Sequence, residues 1–267
     1  MLLRESGFTF GGKHSYDDMG LIYAEKDGHI AIPEIKRNAY SIAGASGTLL
    51  LPGETWQPFI LEGTLYPALE PATQTDAQDM LREVAAWLTG GRQKLIFDYE
   101  PNVFYLAELS ASCKWSLRNW FGGELAVRWT AQPFAYNVDE NTAVTSLTGN
   151  SVRMGLNLIG TQRAPLTVKI ENIGLAAISE VRVADDIYFQ GIDLGAGQSI
   201  TITTEPPAGA RIQRSGGSTE DAMPYATLFR PVTLAPGMSQ VIVRCVYDYV
   251  SGDTTGMRVT LSARGRW

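Results

Sequence analysis

Between residues 71 and 90 the apolar side chains of this chain recur at helical spacing, and no other part of its 267 residues shows that period. Ala77, Met80, Leu81, Val84 and Leu88 follow an i, i+3, i+4 pattern with Trp87 beside them. That pattern predicts one amphipathic helix with a single buried face. Thr75 and Gln78 stand at capping-box spacing, and Gly90-Gly91 predicts a left-handed C-terminal cap. A chain with one helix must build nearly all of its core from strands.

The strand signals are short and closely punctuated. Residues 94–97 and 104–109 read as a hairpin whose turn is built on Asp98, Glu100, Pro101 and Asn102, where Pro presets φ and Asn tolerates left-handed backbone. In 56–66, Phe59, Leu61, Gly63 and Leu65 fall on one face and Ile60 and Tyr66 on the other, the period-2 mark of a strand packed on at least one side. In 124–130, Glu124, Ala126 and Arg128 alternate with Leu125, Val127 and Trp129 in the same way. Further strands are predicted over 8–10, 21–24, 29–33, 38–43, 48–51 and 111–117. Breaks are expected at Gly11-Gly12, residues 44–47, Pro52-Gly53 and 119–123. Strands, one helix, then antiparallel strands define an α+β domain over 1–137.

Past residue 137 the pattern changes. Residues 137–151 are small and polar, a linker or first edge strand. From there strands are predicted over 152–159, 166–170, 181–184, 186–189, 199–203, 227–229, 240–247 and 257–263. Turns are expected at Gly160, 172–174, Gly191, 195–197, Pro236-Gly237 and 251–253. About eight strands in about 115 residues, so punctuated, spell an all-β sandwich or jelly-roll-like domain over 138–267. Residues 205–224, rich in Pro, Gly and Ser, are expected to form one long loop.

Charge and residue usage exclude several functions. Residues 1–137 carry 11 Lys/Arg against 16 Asp/Glu, and 138–267 carry 11 against 12, so neither half has the basic footprint of a nucleic-acid binder. Ten of the 11 cations in the second half are Arg, with Lys169 the exception, a usage suited to a docking domain. The two cysteines, Cys113 and Cys245, fall one in each half and are expected to be free buried thiols. The N-terminus lacks the basic and long apolar regions of a signal peptide, and no apolar run approaches ~20 residues, so a soluble chain without membrane insertion is expected.

Chemistry has little to draw on. His14 and His29 are the two histidines, neither is near a Cys in sequence, and no Gly-x-Ser-x-Gly elbow is present. Asp17-Asp18 and Asp185-Asp186 with Asp193 are the densest acidic groups, without the spacing of a calcium loop. No catalytic, cofactor or metal residue is therefore assigned, and no enzyme is expected. A hydrolase using two carboxylates and a wall-binding carbohydrate module remain open alternatives. The second is weakened by the lack of Trp between Trp129 and Trp267.

Several motifs, in order, resemble the distal tail proteins of siphophages, the Dit family. They are Phe8-Thr-Phe10-Gly11, Asp18-Met19-Gly20-Leu21, Leu95-Ile-Phe97-Asp98-Tyr-Glu-Pro101 and Pro133-Phe-Ala-Tyr136. Ile192-Asp193-Leu194, Leu234-Ala-Pro-Gly237 and the closing Trp267 follow. The family's Ile-Pro-Gly-Arg-Asp-Gly turn has its counterpart in residues 42–47, where Ala45 and Ser46 replace Arg and Asp. The resemblance implies a ring-forming, tail-tube-like domain over 1–137 and a galectin-like sandwich over 138–267. It further implies a homo-oligomeric ring, a hexamer, in the tail tip of a virion. Its neighbours would be a tail tube protein and a tail-associated, receptor-binding tip protein, and DNA would pass without specific binding. The acidic excess of 1–137 is expected to contribute to a channel lining that repels phosphate.

Overall fold

The computed structural model describes residues 7–25, 33–41, 46, 48–69, 71–110, 115–118, 122–248 and 254–267. The chain divides into two compact units, Met1–Val138 and Asp139–Trp267, each with its own hydrophobic core. It is mostly β, with antiparallel sheets and one α-helix among the described residues.

The first unit runs β1 (Phe8–Phe10), β2 (Lys13–His14), β3 (Leu21–Glu25), β4 (Ile35–Ser41), β5 (Thr48–Trp56), β6 (Phe59–Pro67), α1 (Gln74–Leu88), β7 (Gln93–Phe97), β8 (Val103–Leu109), β9 (Trp115–Arg118) and β10 (Gly122–Asn137). Its main sheet has the order β2-β1-β7-β8-β10-β6-β3, with β9 also paired to β10, while β4 and β5 form a separate hairpin. The alternations in β6 and β10 hold as read: Leu61, Gly63, Leu65, Leu125, Val127 and Trp129 are buried, and Ile60, Tyr66, Glu124, Ala126 and Arg128 are exposed. On the buried face, Phe8 stacks on Trp87 at 5.5 Å and meets Tyr23 and Trp129 edge-on at 5.2 Å each. Trp87 Nε1 donates to the Phe10 carbonyl at 2.7 Å, so the helix is tied to β1 by packing and by a buried hydrogen bond.

Two expectations for this unit change. The helix is capped by Thr73, whose side chain accepts from the Asp76 N–H, two residues before Thr75. Ala77, Val84, Trp87 and Leu88 are its buried residues, with Met80 and Leu81 only half-buried; Gly91, not Gly90, takes the positive φ. Pro52-Gly53 is no turn, because β5 runs through it and absorbs it as a register shift against β4, a place where a strand tolerates a missing donor. Pro133-Phe-Ala-Tyr136 stands at the end of the unit, within its last strand. It extends β10 past a bulge at residues 131–135, and Ala135, Tyr136 and Asn137 pair with Tyr105, Phe104 and Val103. His29, Cys113, most of the 44–47 and 119–123 turns and the 251–253 turn lie outside the described residues.

The second unit runs β11 (Asn141–Leu147), β12 (Ser151–Leu158), β13 (Ala164–Asn172), β14 (Ala177–Val183), β15 (Ile187–Leu194), β16 (Ser199–Thr203), β17 (Gly209–Gln213), β18 (Thr219–Asp221), β19 (Ala226–Phe229), β20 (Thr233–Leu234), β21 (Gly237–Asp248) and β22 (Met257–Ala263). One sheet has the order β11-β22-β13-β16-β17-β18 with β20 on β13, and the other β12-β21-β14-β15-β19. Inward Val, Ile and Leu from both make one core, the arrangement of a two-sheet sandwich. Gly191 does not end a strand: with φ +72° it opens a bulge between Glu180↔Gln190 and Ile178↔Leu194, and β15 continues. The stretch 205–224 is not a loop either. Ala210 and Ile212 face the core from β17, and β18 closes the sheet edge beside it. Its period-2 signal is only a few residues long and is obscured by the surrounding Gly, Pro and Ser.

Cys245 is a buried free thiol on β21, its sulfur 3.4 Å from Met257 Sδ, and burial pushes its pKa up to about 12. A raised folded value means its contribution to stability is complete below the unfolded value of about 8.5 and is lost as pH climbs toward the folded one. In a Cys113→Ser protein at pH 8, a thiol reagent should label Cys245 at least tenfold more slowly in the native state than in urea. Equal rates would show that β21 opens in the native state.

Candidate functional site

The main sheet of the first unit has one face packed under α1 and one face open. Across the open face Ala24, Thr64 and Ala126 lie in one cross-strand row, and Glu62 pairs with Arg128 in the next, 3.3 Å between side chains. Glu108 is held by Arg92, also at 3.3 Å, and Lys94 lies 4.7 Å above the Phe104 ring. The face is thus small, polar and largely charge-compensated, with Ile60 and Tyr66 as its exposed apolar residues. Glu124 on β10 shares this face, whereas Asp76, Asp79 and Glu83 stand on α1, and Asp17, Asp18, Asp98 and Glu100 in turns. β3 is an edge strand whose outer side is unpaired among the described residues.

His14 is structural. The Asp17 N–H donates to its Nδ1 at 3.0 Å, which leaves Nε2 to donate to the Asp98 carboxylate at 3.0 Å. The His14 N–H in turn donates to Asp18 at 2.7 Å. This knot joins the turn after β2 to the turn of the β7–β8 hairpin. Gly7 fits beside it, since a Cβ there would press on both Asp98 Oδ2 and His14 Nε2 and force the pair to shift. Ser15, the nearest hydroxyl in sequence, is fully buried and accepts from the Phe8 N–H, so the His–Asp pair has no nucleophile to activate in it. The hairpin turn is two consecutive hydrogen-bonded turns, Glu100 N–H to Phe97 O and Val103 N–H to Glu100 O, and Asn102 keeps an ordinary φ. Nearby, burial first and the Glu25 and Glu100 carboxylates second raise the Tyr23, Tyr99 and Tyr105 phenols well above their usual range. They remain neutral packing groups.

In the second unit a shallow groove of about 740 Å³ lies along β16, β17 and β18, lined by Thr201, Thr203, Arg211, Glu220, Asp221 and Met223. It has no aromatic floor. Tyr188 is covered by the Arg182 guanidinium 4.2 Å from its centroid, and the Tyr247 hydroxyl donates to the Gly149 carbonyl. Asp185 and Asp186 form the turn between β14 and β15, whereas Asp193 sits in the β15 bulge with φ +45°. Among the described residues no group of three or more His, Cys, Asp or Glu could hold a metal ion. None of their helices is long and apolar enough to cross a membrane.

These features define a two-unit, mostly-β protein that presents surfaces, namely an open sheet face, free sheet edges and a shallow groove. No protein-family model and no curated protein sequence matches the chain. Among solved structures it is similar to the SPP1 Dit protein, described as a paradigm of the hub adsorption apparatus in phages infecting Gram-positive hosts. The likeness has a TM-score of 0.67 and 14% identity, and covers 97% of this chain and 98% of the other. The chain has a Dit-like fold from end to end.

Proposed function

We propose that this chain is a structural hub subunit of a phage tail, joining the tail tube to the host-binding tip, and not an enzyme. The observation that carries the reading is the Dit-like fold across nearly the whole chain, both units included. In this reading the first unit closes a homo-oligomeric ring, a hexamer, through its free edges, with the open sheet face toward the bore. A lining of compensated charges, Glu62 with Arg128 and Glu108 with Arg92, offers DNA phosphates no net cationic surface to hold them. The second unit, a galectin-like sandwich, projects outward, and the particle sits in the virion tail tip between the tube and a receptor-binding protein.

Native mass spectrometry of the purified chain with negative-stain imaging tests this. Rings of about six copies with a central hole are expected, the closed point symmetry that a heterologous edge contact generates. A second reading, a module for host-wall carbohydrate, would place its ligand in the groove along β16–β18. A chain that stays monomeric, alone and with its tail neighbours, and binds wall glycans would replace the hub reading with that one.

A further inference from the structure

The outer face of the smaller sheet of the second unit gathers three arginines, two of them outside any ion pair among the described residues. Arg244 on β21 lies directly opposite Arg182 on β14 and, on its other side, opposite Ser151 on β12. Arg153, opposite Ile242, is the diagonal neighbour of Arg244, at a spacing of about 7 Å between side-chain bases. Arg182 is held by Glu180 at 3.3 Å and stacks on Tyr188. Arg153 and Arg244 are exposed and, among the described residues, have no carboxylate partner. Glu180, opposite Val246, is a diagonal neighbour of Arg244, and the acid of β21 itself, Asp248, is two outward positions beyond Arg244, opposite Ala177. Like charges facing each other across a strand pair cost stability. In a chain of net charge −6, such a cluster is a local cationic patch open to an anion from outside.

The company these arginines keep says which anion. Along β21 the same face presents Met238, 71% exposed, half-buried Ile242 and Val246, 47% exposed, interleaved with Gln240 and Arg244. Gly155 on β12 leaves room for the Met238 sulfur, since a Cβ there would stand 3.1 Å from it. Arg, Met, Tyr and aliphatic residues in one patch is the composition of a protein-binding surface. A nucleic-acid or polyphosphate track would want a longer cationic stripe and free aromatic faces for bases. Here the patch spans three strands, and Tyr188 is already covered by Arg182. Planar guanidinium forks also match carboxylates two oxygens at a time.

We infer that the β12–β21–β14 face, centred on Arg153, Arg244 and Arg182, docks a carboxylate-rich protein surface. The inference stands on the second unit alone and holds whether or not copies close into a ring. The test uses the full chain and a fluorescent poly-glutamate peptide at low salt, read by anisotropy. Wild type is expected to bind, with affinity falling at least tenfold in R153E/R244E. The charge-matched control K169E/R211E, on the other sheet, should leave it within about twofold. The milder Arg244→Gln, which relieves the like-charge pair, is expected to weaken binding several-fold while leaving the melting temperature unchanged or higher. No peptide binding, or equal losses in the two double variants, would overturn the inference. So would polyphosphate of matched charge binding more than tenfold tighter and losing that affinity in R153E/R244E.

Discussion

Trp129→Ala is expected to destabilise the first unit by about 3–5 kcal/mol, whereas Trp129→Phe should cost no more than about 1 kcal/mol. Trp129 is fully buried at the centre of β10, the strand that pairs with both β8 and β6, and packs edge-on against Phe8 and, at 6.1 Å, against Tyr23. Removing the ring leaves a cavity lined by aromatics that cannot collapse, because each is pinned by its own partners: Phe8 by Trp87, and Tyr23 by its hydroxyl to the Glu62 carbonyl. The indole Nε1 is buried without an acceptor among the described residues, so Phe loses no hydrogen bond and sheds the cost of an unpaired donor. Hydrogen exchange of β10 amides in the full chain reads the effect. Equal losses for the two substitutions would mean that the indole nitrogen has a partner, an ordered water being the natural one.

Asn172→Ala should cost the second unit a comparable amount, about 3–5 kcal/mol, through polar satisfaction and not volume. Asn172 is fully buried at the end of β13. Its Nδ2 donates to the Ala176 and Leu194 carbonyls, both at 2.8 Å, and its Oδ1 accepts from the Gly174 N–H at 3.0 Å. Truncation strips partners from two carbonyls and one N–H in a dry site, each loss costing about 1–3 kcal/mol, with the Gly174 N–H keeping a second acceptor in Gly256. The expected signature is a lower urea midpoint, with exchange protection lost first around residues 172–176 and at the end of β15. An unchanged midpoint would show that the turn is held by its backbone bonds alone.

Both residues illustrate what was legible. Trp129 announced its burial by alternating with Ala126 and Arg128, and the structure agrees. Asn172 was read as the start of a turn; it is the last residue of β13, and its role as a buried three-way clamp depends on Leu194, 22 positions away, which no local pattern contains. The helix shows the same division. Its buried stripe was visible, yet Thr73 and Thr75 both stand where a cap can form. The choice fell to the helix's seat on the sheet, where Trp87 reaches the Phe10 carbonyl. Pro52-Gly53 and Gly191 were read as ends because turns and bulges call for the same residues. Only the facing strand decides whether the chain reverses or merely kinks.

The candidate surfaces were less legible still. The abundance of Arg after residue 137 was plain, but Arg153, Arg182 and Arg244 meet only because β12, β21 and β14 are neighbours. By itself the sequence determined the class of the protein: mostly β, one helix, two halves, and a chain poor in catalytic groups. Those properties follow from residue type and short-range periodicity, which act within a few positions. Strand order, bulges, the buried Asn172 clamp and the arginine cluster were decided by tertiary structure alone, since each is a register between segments tens of residues apart. Register is set by which faces can be buried together, an energy that belongs to the assembled core and not to any one stretch of chain.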